Sequence, residues 1–332
     1  VDNRRAPSGQ ALVSDDAATH RHPAGFDPSR GIEPELFSES IDPDRFRAGP
    51  SLTSAMELSA QRIERSIREI QPTHVVGTVS GGRDSAAEIE LARDMGIKLD
   101  LILHCRTGTG IPETTEHVVD YYGNLGPDFV MADAGDAYEE YVMRKGFFGV
   151  GRDAHNYAYR ILKATPMRKA ISREIRKGRR GVRILLLNGA RASESDNRAK
   201  NLKETRRDPA SPGNTWVNII HDWTAADRDQ YLRIRDVPIN PVAIQLCRSG
   251  ECMCGTMQNQ RMRDEAAAIY PEWGCMINEL ERRARAKHGW GWGEPMPRPA
   301  DPRQIDLFQP ACAGCASDEM SREDRLSLGG VA

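Results

Sequence analysis

The chain lacks any apolar run approaching the roughly 20 residues that span a bilayer, so no membrane segment is expected. Its opening stretch, VDNRRAPSGQALVSDDAATHRHPAG, has no signal-peptide core either. An excess of one charge is also missing. Lys and Arg number 46 against 48 Asp and Glu, so overall charge points to neither nucleic acid nor membrane. The Walker spacing G-x-x-x-x-G-K-[ST] does not occur, which excludes an ordinary P-loop. Together these absences lead to the expectation of a soluble, cytoplasmic protein with no membrane partner.

The 332 residues suffice for one large or two small domains with a sizeable core. Residues 1–35 are rich in Pro, Gly, Ser, Asp and His and poor in large apolar side chains, which predicts a disordered arm. Beyond it, Met56, Ile63, Ile67 and Ile70 recur at helical spacing. The chain then alternates: HVVGTV, LDLILH (Leu99 to His104), DFVMAD and VRILLLNG (Val182 to Gly189) read as strands, and PETTEHVVDYYG as a helix with Pro112 in its first turn. This alternation predicts an α/β fold, with ligands at the carboxyl ends of parallel strands. The expected division is an arm over 1–35, a nucleotide-binding α/β domain over 36–245, a cysteine-rich module over 246–320 and a tail over 321–332.

Between the first strand and its helix stands SGGRDS, Ser80 to Ser85. Gly81 and Gly82 permit a sharp turn and close approach to a ligand. Ser80, Ser85 and the free amides at the helix start, Arg83 among them, supply donors where the helix dipole favours an anion. A phosphate is the guest this chemistry suits, although a plain strand-to-helix turn uses the same residue types. On the residues alone, Asp84 reads as a simple acid at a helix N-terminus, favourable with the dipole and needing no metal.

The string resembles the SGGxDS pyrophosphate loop of the PP-loop ATP pyrophosphatases, the superfamily that includes the phosphoadenosine phosphosulfate (PAPS) reductases. The resemblance implies an adenine nucleotide alpha hydrolase-like fold, a parallel twisted sheet with helices on both faces, binding ATP or an adenylyl sulfate, with Asp84 orienting or sharing a Mg²⁺ ion when the ligand is ATP. HCRTGTGIPET resembles the family's H-x-[DN]-T-G-x-x-x-P-E-T segment, which carries over Thr107 and Gly108 as nucleotide contacts; Arg106 departs from the acid or amide usual there. NGARASESDNRAKN is similar to G-x-R-x-x-E-S…R and makes Arg191, then Arg198, the candidate anion clamps and catalytic residues with Asp84. On the residues alone, surface ion pairing with Glu194 explains such arginines equally. WVNIIHDWTAADRDQYL and VPINPV resemble further family segments; Trp223 reads as a packing anchor, and Thr224 with Asp227 as a helix cap.

KGFFGVGRDAHNYAYRILKATPMRKA weakly resembles a segment of the iron-sulfur PAPS-reductase-like proteins of DNA phosphorothioation systems, with Phe148 and Val150 at its proline positions. A basic run follows, Arg160, Lys163, Arg168, Lys169, Arg173, Arg176, Lys177, Arg179, Arg180 and Arg183. It suits either a DNA or RNA backbone or the solvated face of a helix.

Cys247, Cys252 and Cys254 cluster in LCRSGECMCGT, and ACAGCA adds Cys312 and Cys315. Close pairs of this kind favour metal over disulfide in a cytosolic chain. Cys252, Cys254, Cys312 and Cys315 are the candidate ligands, with Cys247 as substitute; spacing alone admits Zn²⁺ or iron-sulfur, and the resemblance favours a [4Fe-4S] cluster. Cys275 reads as a helix residue, and Cys105 as a small residue ending a strand. The C-terminal E-C-G-L-H nucleophile segment of assimilatory PAPS reductases has no counterpart in EDRLSLGGVA. Three activities follow from the resemblance: cleavage of the α,β bond of ATP to adenylate an acceptor for sulfur transfer, with a sulfur-donor protein as partner; release of sulfite from a sulfonucleotide with an external thiol; or a nucleotide- or nucleic-acid-binding subunit without turnover.

Overall fold

The computed structural model describes residues 50–297; the arm 1–35, the tail 321–332, Cys312 and Cys315 lie outside them. β1 (His74–Val79), β2 (Leu101–Arg106), β3 (Asp128–Asp133), β4 (Ile184–Asn188), β5 (Thr205–Arg207) and β6 (Asn214–Asn218) form one sheet in the order β3-β2-β1-β4-β6-β5. Every pairing is parallel except β5 with β6. Alternate side chains bury on opposite faces, as the period of two requires. Val75, Val79, Ile102, Leu185 and Leu187 join one core; Val76, Leu101, Leu103, Ile184 and Leu186 join another.

The first core is closed by α1 (Pro50–Ile70), α2 (Arg83–Asp94), α3 (Pro112–Tyr122) and, further along, α8 (Ala225–Ile234). The second is closed by α6 (Thr165–Ile171) and the π-helical turn Ser172–Arg176. Helices thus cover both faces, and the α/β expectation holds. A third apolar cluster joins α4 (Ala137–Lys145) and α5 (Arg152–Tyr159) to residues 246–254, α10 (Gln260–Ile269), α11 (Pro271–His288) and Trp292. The cysteine-bearing segment therefore shares its core with residues from the middle of the chain. Two short helices complete the fold, α7 (Asp196–Asn201) and α9 (Pro241–Gln245).

Two of the expected strands, β1 and β3, and the Pro112 helix lie close to where the pattern put them, but β2 and β4 each start two residues late. Asp100 stands before the β2 ladder, and its carboxylate accepts the Val75 N–H at 2.8 Å. The antiparallel β5–β6 edge was not foreseen, since β5 is three exposed polar residues with no apolar pattern to read. Trp223 is fully buried; its ring meets Tyr231 edge-on at 5.2 Å, and its Nε1 donates to Ala55 O at 3.1 Å. The Thr224–Asp227 capping box is formed, with the Asp227 N–H donating to Thr224 Oγ1 at 3.1 Å. Trp223→Ala should lower stability by about 3–5 kcal/mol, read by urea unfolding; a loss below about 1 kcal/mol would remove Trp223 as the anchor between α1 and α8.

Candidate functional site: a cationic cleft at the switch point of the sheet

β2 lies on one side of β1 and β4 on the other, so the loops leaving β1 and β4 diverge and open a crevice at the carboxyl ends of the strands. The β1 loop is wound tightly. Ser85 Oγ donates to Gly82 O at 2.9 Å and accepts the Ser80 N–H at 3.1 Å. Gly81 has φ +73°, and a Cβ there would stand 2.7 Å from Thr114 Cγ2. Across the crevice a Cβ on Gly189 would stand 2.5 Å from the Asp84 carbonyl, so the end of β4 packs directly on the first turn of α2. Asn240 fixes the loop from outside: its Nδ2 donates to Gly81 O at 2.9 Å, and its Oδ1 caps α9 at the Val242 N–H, 3.0 Å. Beneath the loop, the fully buried Glu88 carboxyl accepts the Thr78 N–H at 3.2 Å, and burial pushes its pKa well up.

The crevice widens into a cavity of about 680 Å³, a size suited to a nucleotide. Ser80, Gly82, Arg83, Asp84 and Ser85 line one wall; Asn188, Gly189 and Ala190 line the floor. Arg83, Lys163, Arg198, Arg228 and Arg248 bring five cations to the lining, against the two carboxylates of Asp84 and Glu194. Such a surface attracts a polyanion and concentrates it. Lys163 arrives from a second π-helical turn, Arg160–Ala164, a distortion that often marks a functional position. Burial opposes its charge, but Cys252 and Glu251 outweigh that and hold its pKa above the ordinary lysine value.

Asp84 is held by two guanidinium groups. Its Oδ1 accepts Arg191 Nε at 2.7 Å and Arg228 Nη1 at 2.9 Å, and its Oδ2 lies 3.4 Å from Arg191 Nη2. Arg228 also bonds Asp229 at 2.8 Å, and Asp229 lies 3.7 Å from Arg83. The result is an alternating chain, Arg191–Asp84–Arg228–Asp229–Arg83, with one positive charge in excess. A Mg²⁺ ion on Asp84 would need a direct oxygen bond of about 2.0–2.1 Å. It would then stand beside two guanidiniums, each repelling a unit charge by on the order of 4 kcal/mol at 4 Å in a surface dielectric. Asp84 in this arrangement does not fit the expected Mg²⁺.

On the far wall stand the thiols. Cys247, Cys252 and Cys254 all line the same cavity as Ser80 and the residues from Gly82 to Ser85. Their segment is fastened to the end of β2 by Glu251, 1% exposed, whose Oε1 accepts the Thr107 N–H at 2.7 Å while its own carbonyl accepts Thr107 Oγ1 at 2.6 Å. His104 donates from Nδ1 to Val79 O at 2.9 Å, and its Nε2 lies 3.2 Å from Glu251 Oε2. The following carbonyls are bonded in turn: Cys252 O by Gln258 Nε2 at 2.8 Å, Met253 O by Trp292 Nε1 at 2.8 Å and Cys254 O by Tyr138 Oη at 3.3 Å. The Cys252 and Cys254 sulfurs are 3.8 Å apart. Two thiolates on one tetrahedral ion at about 2.3 Å stand about 3.8 Å apart, so the pair fits a thiolate-bound metal. The S–H of Cys252 donates to Cys254, whose pKa falls to about 6 with help from Thr256 and Lys163; Cys252 moves up correspondingly.

The structure therefore brings Ser80, Gly82, Arg83, Asp84, Ser85, Arg198, Cys252 and Cys254 to one cavity. Gly81 turns the loop without lining it. Thr107 and Gly108, expected as nucleotide contacts, lie off the cavity: Thr107 is 0% exposed and spends its polar groups on Glu251. Arg191, expected as the anion clamp, is 4% exposed and turned onto Asp84. Arg198 pairs with Glu194 at the rim. Cys105 is buried with its pKa pushed up to about 12, and Cys275 is exposed on α11. The basic run divides among roles: Arg168 bonds Asp208 at 3.0 Å, Arg176 bonds Asn214 at 2.5 Å, and Arg183 bonds Gln71 O at 2.8 Å. Glu204, His221 and Asp222 also converge, but Arg62 and Arg65 already neutralise the two acids. Sequence reasoning missed Arg228, Arg248 and Glu251.

A doubly wound sheet with a glycine-turned loop and a cationic cleft at its switch point defines an α/β protein built to hold a polyanion. The chain belongs to the phosphoadenosine phosphosulfate reductase family: residues 74–277, well over half of it, match the phosphoadenosine phosphosulfate reductase domain. No curated protein matches the sequence. Among solved structures, phosphoadenylyl-sulfate (PAPS) reductase from Candida auris, in a phosphate complex, is similar at 17% identity over 59% of this chain and 93% of that one, with a TM-score of 0.39. Among the described residues no helix is long and apolar enough to cross a membrane.

The lowered pKa at the thiol pair makes a thiolate available above about pH 6 and removes it as pH falls through that value. In metal-free, reduced protein, iodoacetamide labelling of the Cys252–Cys254 peptide should reach half its maximal rate near pH 6. A midpoint in the ordinary thiol range, about 8.5, would show that the sulfur–sulfur hydrogen bond is not formed.

Proposed function

We propose that the chain binds ATP in the switch-point cavity and cleaves its α,β bond, leaving an adenylated acceptor for sulfur transfer. One observation carries this reading: the phosphate loop and a thiol pair line the same cavity of about 680 Å³. Ser80 and the first amides of α2 hold the departing pyrophosphate, where the helix dipole favours its charge. Arg228 and Arg198 oppose the charge that develops around the α-phosphorus, an electrostatic contribution strongest in the transition state. Lys163 bridges the phosphate side to the thiol side. Cys252 and Cys254 hold the metal centre, with the remaining thiolates drawn from Cys247, Cys312 and Cys315. When bound by four thiolates, a [4Fe-4S] cluster would supply an electron-transfer centre and Zn²⁺ a structural cross-link, and either would carry net negative charge, which Lys163 beside Cys252 would offset.

A second reading, sulfite release from a sulfonucleotide with an external thiol, draws on the same feature. Thiols facing a nucleotide's phosphate wall suit chemistry at a sulfur attached to the α-phosphate. Product analysis separates the two: pyrophosphate from ATP supports the first, and thiol-dependent sulfite from an adenylyl sulfate supports the second. Neither product, with tight nucleotide binding, would leave only a binding role.

For the first reading, Ser80→Ala should lower kcat/KM for pyrophosphate release by roughly 100-fold, the order lost with one oriented donor, with the fold unchanged by circular dichroism. Unimpaired cleavage in that variant would remove the loop from the reaction. Anaerobically purified protein should contain iron and acid-labile sulfide, both lost in Cys252→Ser or Cys254→Ser; one zinc per chain instead would assign the other metal.

A further inference from the structure

The charge chain on the phosphate-loop wall carries a conclusion about how the cavity holds its ligand, and it rests on the reading that the nucleotide's phosphates sit there. In a loop of this type the acid after the glycines is the residue expected to recruit Mg²⁺. Here that acid, Asp84, is committed. Its Oδ1 already accepts two short N–H bonds, from Arg191 and Arg228, and its Oδ2 faces the second nitrogen of Arg191 at 3.4 Å.

The two arginines differ in what they present to the ligand. Arg191 is buried and does not line the cavity, whereas Arg228 does. Arg228 comes from the first full turn of α8, 144 residues from Asp84 in sequence, so its guanidinium is carried to the loop by the packing of α8 on α2. Asp84 on one side and Asp229 on the other fix its plane. A guanidinium held at both edges keeps its charge at one place, as a bound metal would, and its remaining N–H groups are directional donors suited to phosphate oxygens.

We propose that Arg228, positioned by Asp84, takes the place of a divalent ion at the phosphate loop, so that this protein binds the phosphates of an adenine nucleotide without Mg²⁺. Asp84 is then a positioning residue, acting through Arg228. Electrostatics gives the same answer as geometry. The wall of Arg191, Asp84, Arg228, Asp229 and Arg83 has a net positive charge before any ion arrives, which attracts a phosphate and repels a dication.

The test uses the full-length protein and α,β-methylene-ATP, whose bridging carbon resists cleavage, with binding measured by calorimetry in EDTA and again in excess Mg²⁺. The wild-type dissociation constant should agree within about threefold between the two media. Arg228→Ala should weaken binding at least tenfold in both. Arg228→Lys, which keeps the charge but not the fork, should recover part of that loss in both media. Thermal unfolding of each variant guards against a folding defect, and Arg228→Lys keeps the test open if Arg228→Ala does not fold.

Tenfold or tighter binding in Mg²⁺ by the wild type overturns the proposal, as does wild-type affinity in Arg228→Ala. Absence of binding in both media is a separate failure: it sinks the assignment of the cavity to nucleotide phosphates, and this inference with it.

Discussion

The hydrogen bonds between Glu251 and Thr107 tie the cysteine segment to the carboxyl end of β2. A carboxylate 1% exposed would be a heavy liability unless its oxygens were used. One of them accepts the N–H at the end of β2, and the backbone carbonyl of the same residue accepts the Thr107 hydroxyl. Because β2 ends beside β1, this fastening brings the next residue, Cys252, to the crevice that the β1 loop already lines. Neighbouring bonds hold the segment in the same place: Thr114 Oγ1 and Asn240 Nδ2 donate to Ser249 O, and the Met253 N–H donates to Thr109 Oγ1.

Charge is arranged on the same principle. The cavity wall alternates acids and bases so that each guanidinium is oriented by a neighbour while a net positive charge remains for a ligand. Arg191 is spent inside this chain, and Arg228, itself largely covered, is presented to the cavity. The family motif that marked Arg191 thus identified the anchor of the array, and the residue that reaches the cavity came from a helix that the motif does not include.

The fold was largely legible because its signals are local. β-branched runs gave the strands, Pro112 marked the start of α3, and the six residues after β1 announced a turn against a helix N-terminus. The edge strand β5 was invisible because exposed polar residues carry no periodicity, and its pairing with β6 is decided by the sheet. At the site, Ser80 to Ser85 could be read as a string, whereas Arg228 could not, since its role depends on a contact spanning 144 positions. Glu251 was hidden by a general expectation that acids stay in water. Lys163 was submerged in a basic run whose members the π-helical turns send in different directions. The bond of Thr107 to Glu251 could not be read either, because a resemblance transfers positions and not the neighbours that occupy them.

The thiol segment is a row of four carbonyls, each accepting a bond from Thr107, Gln258, Trp292 or Tyr138. Such a segment is already ordered by tertiary contacts that no metal supplies. Small metallo-domains commonly collapse when stripped, because the ion is what folds them. Here the backbone that carries Cys252 and Cys254 is held by bonds from the protein itself, so its shape is independent of any ion.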